Sequence, residues 1–144
     1  MPSVIAACCL LVVATTVLHY EVLRLVNARL PALRMPGRAK LVVVILAAFV
    51  AHAAEIGLYG LVLGALVNGL GAGTLSGAAE PSIWSYIYFS AETYTSLGFG
   101  DLTPTGPIRL LAGVEALNGL LLIGWSASFT YLAMEQFWKL GPDR

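Results

Sequence analysis

The sequence predicts an all-α membrane protein: three membrane-spanning helices, with a shorter helix and a glycine-rich loop folded between the second and the third. Three observations carry this. Hydrophobic residues make up 58% of the 144-residue chain and charged residues only 11%, where an ordinary soluble domain carries roughly 25% charged residues. The apolar residues gather into three runs, each long enough to supply the about 20 residues that cross a bilayer core as a helix. A fourth stretch, residues 80–101, is aromatic and too short to cross, and it ends in Gly98 and Gly100. With a mean hydropathy of +0.83, nothing is left over for a soluble domain of useful size.

The first run extends from Ser3 to about Val26, interrupted late by His19, Glu21 and Arg24. It holds the only cysteines, Cys8 and Cys9. Adjacent residues on a helix point in different directions, so these read as buried free thiols rather than a disulfide. Ile5-Ala6-Ala7-Cys8 looks like a lipoprotein cleavage site, but no positive residue and no full apolar run precede it, so a cleaved signal is not expected.

Pro31 and Pro36 break any helix through the following loop, because proline lacks the N–H and clashes with the preceding turn. Arg24, Arg29, Arg34, Arg38 and Lys40 sit in or beside that loop, and by the positive-inside rule it is cytoplasmic. The N-terminus and residues 71–107 then lie outside and the C-terminus inside, where Lys139 and Arg144 agree and Tyr131, Phe137 and Trp138 suit an interfacial aromatic belt. The second run, residues 40–70, becomes glycine-rich towards its end (Gly57, Gly60, Gly64, Gly69), with Gly71 and Gly73 following it.

Pro81 before Ser82-Ile83-Trp84 marks a helix start, as cap or first helical residue, and the short helix is expected over about residues 82–95. Pro107 opens the third span, residues 107–138. No internal repeat is present. No span carries regularly spaced arginines, so a voltage sensor is not supported, and no regulatory domain is expected after Trp138. The formal net charge is zero, which gives no reason to expect a nucleic-acid partner.

Backbone groups at membrane depth cost several kcal/mol each if unsatisfied, so non-helical backbone survives there only inside protein or along a water-filled path. A short helix followed by a loop with Gly98 and Gly100 therefore reads as a re-entrant hairpin lining such a path. Alternating glycines open backbone conformations closed to other residues and let successive carbonyls turn towards one axis. Rings of such carbonyls replace the hydration shell of a cation. The helix points its partially negative C-terminal end at the same place.

The stretch Tyr88-Phe89-Ser90-Ala91-Glu92-Thr93-Tyr94-Thr95-Ser96-Leu97-Gly98-Phe99-Gly100-Asp101-Leu102-Thr103-Pro104 resembles the pore helix and selectivity filter of the tetrameric potassium channels, whose usual string is Thr-Thr-Val-Gly-Tyr-Gly-Asp. The similarity covers roughly residues 40–138. It implies a pore module made of an outer helix (40–70), a pore helix (about 82–95), a filter (95–101) and an inner helix (107–138), preceded by residues 1–39 as an extra span and cytoplasmic loop. It further implies a homotetramer in a plasma membrane, a bacterial inner membrane, surrounded by lipid. K+ is the permeant ion, and no cofactor is expected.

The resemblance assigns Thr95 through Gly100 to the ion path. The carbonyls of Ser96, Leu97, Gly98 and Phe99, with the Ser96 hydroxyl, form stacked K+ sites. Ser96 stands for the usual threonine and keeps a hydroxyl. Leu97 stands for valine and is expected to pack behind the filter. Phe99 stands for tyrosine, and its pore-helix partner position falls on Phe89, giving an apolar contact instead of a hydrogen bond. Tyr88 belongs to the same support. In relatives Glu92 and Asp101 meet behind the filter, and since two close carboxylates do not easily both ionise, a protonated Glu92 and a charged Asp101 are expected, setting filter inactivation.

Leu110 to Gly119 resembles the inner helix of bacterial two-span pores, with Gly119 at the hinge position; a small residue there also serves close packing. Glu115 either supports the base of the pore helix or faces the cavity, and Asn118 is its candidate neighbour there or hydrogen-bonds between subunits. His52 and Glu55 share a helix face with Tyr59, and pair with each other or across helices to Glu115 or Asn118. A pH-sensing role for His52 stands beside plain packing. An enzyme is not expected: no Ser/His, paired-Asp or metal-ligand spacing is present, and the two histidines sit on separate spans. The rivals to a potassium channel are a weakly selective cation channel and a non-conducting membrane regulatory subunit.

Overall fold

The computed structural model describes residues 1–77 and 81–139, with side chains as far as Phe137. The expected roles of Glu80, Trp138, Lys139 and Arg144 lie outside this description.

The first apolar run forms one helix, α1 (Pro2–Arg29), with proline in its first turn, where the missing N–H is harmless. A 3-10 turn, Leu30–Ala32, follows and holds Pro31. The second helix, α2 (Gly37–Leu70), starts ahead of Lys40 because Pro36 serves as its cap: the N–H groups of Ala39 and Lys40 both donate to the Pro36 carbonyl. It ends at Gly71, whose φ of 59° lets its N–H turn back to Val67.

The short helix, α3 (Ile83–Tyr94), opens with a capping box: Ser82 is the cap, and Ser82 and Ser85 satisfy each other's backbone N–H groups. Pro81 therefore stands before the cap, outside the helix. The last helix, α4 (Ile108–Lys139), runs unbroken through Gly119. α1, α2 and α4 are each long and apolar enough to cross a membrane.

A feature the sequence reading lacked is a small antiparallel pair, β1 (Leu75–Ser76) with β2 (Thr103–Pro104), matching Leu75 with Pro104 and Ser76 with Thr103. Thr105 N–H donates to the Thr74 carbonyl beside it at 2.9 Å. The segment after α2 is thereby clipped to the segment after the glycine-rich loop. The enabling residue is Gly77, at φ 106°, where a Cβ would stand 1.9 Å from the Asp101 carbonyl oxygen.

α3 packs on α2 and α4, and α1 lies against α2 and α4. The main core gathers Tyr59, Leu63, Tyr86, Phe89, Tyr94, Ile108 and Leu111 around α3. Glycines set the closest approaches. A Cβ on Gly60 would come 2.9 Å from the Ile87 Cα, and one on Gly119 would come 2.2 Å from the Tyr94 carbonyl oxygen. Close packing is therefore the role that Gly119 plays in this conformation.

Cys8 is buried, as expected, whereas Cys9 is exposed on the outer face of α1. The 100° step between helical neighbours turns Cys9 away from the core that Cys8 faces.

Between the helices runs a layer of buried polar side chains: Thr15, His19, Glu55, Ser90, Glu92, Glu115, Asn118 and Ser126. Among the described residues no buried side-chain nitrogen or oxygen lacks a hydrogen-bond partner. In a bilayer interior each orphan would cost several kcal/mol, so this layer fixes how the four helices sit together.

Candidate functional site

The loop that leaves α3 starts at Thr95, whose backbone is right-handed (φ −84°, ψ −3°) and whose hydroxyl donates to the Ala91 carbonyl at 2.7 Å. From there the chain takes positive φ at every second residue: Ser96 at 57°, Gly98 at 53° and Gly100 at 81°. Ser96 is the one non-glycine with positive φ among the described residues. That conformation costs an L-residue roughly 1–2 kcal/mol. At Gly98 and Gly100 a Cβ would meet nothing within 4 Å, so conformation, not crowding, requires glycine there.

An alternation of right- and left-handed residues aligns successive N–H groups on one side of the strand as an anion-binding concavity. Glu92 fills that concavity. Its main-chain carbonyl accepts the N–H of Leu97 at 2.9 Å and of Gly98 at 3.3 Å. Its side-chain Oε1 accepts the N–H of Phe99 at 3.0 Å. One buried residue, Glu92, thus holds three consecutive peptide groups.

Asp101 is exposed and has donors of its own: the Tyr88 hydroxyl at 3.2 Å and the N–H of Leu102 at 3.0 Å. Glu92 and Asp101, expected to share a proton or a water, make no direct hydrogen bond to each other among the described residues. Tyr88 stands between them, donating to Asp101 with Glu92 also in reach. The expected Phe89–Phe99 contact is also absent within the chain. Phe89 is 5% exposed and belongs to the subunit core, while Phe99 is 69% exposed. Leu97 likewise is 59% exposed and packs behind nothing in its own chain.

The inner residues fall elsewhere than a cavity. Glu115 is 1% exposed and hydrogen-bonds with the Ser90 hydroxyl, which also lies 2.8 Å from the Ile56 carbonyl and has one hydrogen to share between the two oxygens. Glu115 therefore buttresses the middle of α3. Asn118 is 5% exposed and donates to Thr15 Oγ1 at 2.8 Å and to the Tyr59 hydroxyl at 3.2 Å. Neither residue pairs with Glu55. A path-facing role for Glu115 and Asn118 is corrected by this burial: their helix turns that face towards α1, α2 and α3.

Glu55 pairs with His52, as one of the readings had it, but also with His19 and with the Tyr94 hydroxyl. The separation of the two histidines expected from the sequence does not hold, because α1 and α2 bring their ring centroids to 5.0 Å. His19 reads from the sequence as pH-sensing or plain packing, as His52 does, with no partner assigned to it. The available signal was that an ionisable residue in a span needs a partner.

A family model described as "Ion channel" matches residues 39–136. The chain belongs to this ion channel family. The matched region takes in α2, the re-entrant α3 with its loop, and most of α4, and the channel carries α1 as a further span ahead of it. Comparison with curated proteins and with solved structures gave no match. The channel is a multi-pass membrane protein, and nothing in the family points to catalysis.

Proposed function

We propose that four copies of this channel subunit form a potassium-selective pore, with the loop Thr95 to Gly100 as the filter. The supporting observation is the run of positive φ at Ser96, Gly98 and Gly100 combined with the anchoring of the Leu97, Gly98 and Phe99 N–H groups on Glu92. That backbone frees the carbonyls of Ser96, Leu97, Gly98 and Phe99 to line one edge. Four such edges around an axis make stacked oxygen rings that replace the water around a dehydrated K+. The Ser96 hydroxyl adds the innermost ring. The partially negative end of α3 aims at the same axis.

Four-fold assembly is supported by the apolar side chains of Leu97 and Phe99, more than half of which is left exposed by their own chain. Neighbouring subunits supply the remaining cover. Conduction is passive: binding is divided among several sites, so an entering ion displaces those ahead of it. Arg29, Arg34, Arg38 and Lys40, in or beside the α1–α2 connection, orient the protein with that connection in the cytoplasm, the filter outside and the C-terminus inside, in a bacterial inner membrane.

The test is a planar-bilayer recording of purified protein with K+ on one side and Na+ on the other. A reversal potential far towards the K+ equilibrium value is expected. Equal permeability would identify a weakly selective cation channel. The absence of any barium-blockable flux would identify a non-conducting subunit.

A further inference from the structure

Two histidines and a carboxylate from different spans meet at one buried point. Glu55 on α2 presents one oxygen to each imidazole: Oε1 stands 3.0 Å from His19 Nδ1, and Oε2 stands 3.1 Å from His52 Nδ1. The Tyr94 hydroxyl is 2.9 Å from His52 Nδ1 and also bonds to Oε2. Behind the rings, the Nε2 atoms of His52 and His19 flank Ser126 Oγ at 3.0 and 3.1 Å. His19 and Glu55 are fully buried, and 18% of the His52 side chain is exposed.

With no added charge, the hydrogens in this arrangement fall one short. Take Glu55 ionised and both imidazoles neutral, each ring then having one N–H. His19 spends its own on Oε1, so its Nε2 needs the Ser126 hydrogen. Ser126 must then accept from His52 Nε2, which leaves His52 Nδ1 bare. That lone pair faces a carboxylate oxygen and a phenol whose single hydrogen serves only one of them. A buried lone pair against a lone pair is costly. The point between His19, His52, Glu55 and Tyr94 calls for a positive charge.

We propose that this point binds a first-row divalent cation of the Zn2+ type, through His19 Nδ1, His52 Nδ1 and Glu55, with Tyr94 Oη as a fourth donor. The His and carboxylate donor atoms lie within 4.8 Å of one another. Zn–N and Zn–O bonds of about 2.0–2.2 Å put neighbouring ligand atoms of a tetrahedron roughly 3.3 Å apart. Three donor pairs stand 2.9–3.1 Å apart and the Tyr94 hydroxyl sits closer still to Oε2, so an ion enters mainly by moving the Tyr94 hydroxyl away from Glu55. With metal on both Nδ1 atoms, both Nε2 atoms carry hydrogen and both donate to Ser126 Oγ, whose two lone pairs accept them. Ser126 is then the outer partner that fixes each tautomer.

The donor set also selects the ion. Ca2+ and Mg2+ want oxygen ligands throughout, while imidazole suits zinc and its neighbours. His52 and Tyr94 line a cleft of about 230 Å³ together with Phe49, Thr95 and Ile123, so this side of the cluster opens to the subunit surface. Tyr94 ends α3, directly before Thr95 and Ser96. The metal ties the root of the glycine-rich loop to α1 and α2, whichever ion the channel conducts.

The test is metal content. Purified full-length protein in detergent is loaded with Zn2+ or Co2+, desalted and analysed by plasma mass spectrometry. About one ion per chain is expected, and Co2+ should show the strong visible bands of a four-coordinate site. His19→Gln and His52→Gln should each lose the bound ion, and Ser126→Ala should weaken binding 10- to 100-fold, with helicity and elution volume unchanged. His52, partly exposed, is the variant least prone to misfold. Wild-type protein that retains no stoichiometric metal, a cluster that responds to protons alone, or folded histidine variants that keep the ion would each overturn the site.

Discussion

The peptide N–H of Phe99 donates to Glu92 Oε1 at 3.0 Å, so a side chain on α3 holds the far end of the loop that α3 itself begins. Leu97 and Gly98 hang on the main-chain oxygen of the same residue. The loop's conformation is therefore governed from behind, by one buried acidic residue.

Glu92→Ala removes the acceptor of the Phe99 N–H while sparing the two main-chain bonds. An unpaired buried donor costs about 1–3 kcal/mol, enough to populate a rotated peptide at that level. The steady-state open probability in bilayers is expected to fall severalfold. Glu92→Gln retains an amide oxygen as acceptor and should recover most of it. Equal open probabilities for wild type and Glu92→Ala would refute this account.

Gly98→Ala keeps the volume free, since nothing lies within 4 Å of a Cβ there, yet penalises the φ of 53° by about 1–2 kcal/mol. Relaxation of that residue turns its carbonyl. K+ over Na+ permeability, read from bi-ionic reversal potentials, is expected to drop by at least tenfold, with thermal stability almost unchanged.

Gly119→Ala drives a methyl group into the Tyr94 carbonyl, with a built distance of 2.2 Å. Overpacking of this kind costs about 1–3 kcal/mol. A lower melting temperature in detergent is expected. Gly113→Ala, with nothing within 4 Å of its Cβ, is the neutral comparison.

Ser90→Ala deletes the hydroxyl that bonds both Glu115 and the Ile56 carbonyl, leaving Glu115 buried without that donor. A buried polar group left without its partner costs about 1–3 kcal/mol. The melting temperature should fall more for Ser90→Ala than for Ser128→Ala, whose hydroxyl is on an exposed face and bonds only its own helix.

The three spans were legible in the sequence because apolar run length alone decides them, and the short helix because Pro81, Ser82 and the two loop glycines bracket it. The positive φ of Ser96 was not, since serine carries no signal for it; only the spacing from Gly98 and Gly100 hints at it. The β1–β2 clip was hidden because two residues on each side leave no periodic pattern. The His19–Glu55–His52 cluster was missed for a different reason. Sequence spacing exposes partners on one helix, such as His52 and Glu55, but says nothing about the rotation of α1 against α2.

Asn118 reaches Thr15 and Ser126 reaches His19 across more than a hundred residues of chain. During synthesis α1 enters the bilayer long before α4 exists. Thr15 can meanwhile bond its own helix through the Leu11 carbonyl, but the outer nitrogen of His19 waits for the final span. The fold thus completes only when its ends meet, and a ribosome stalled before Ser126 should leave a chain whose first helix is inserted yet still open to quality-control proteases.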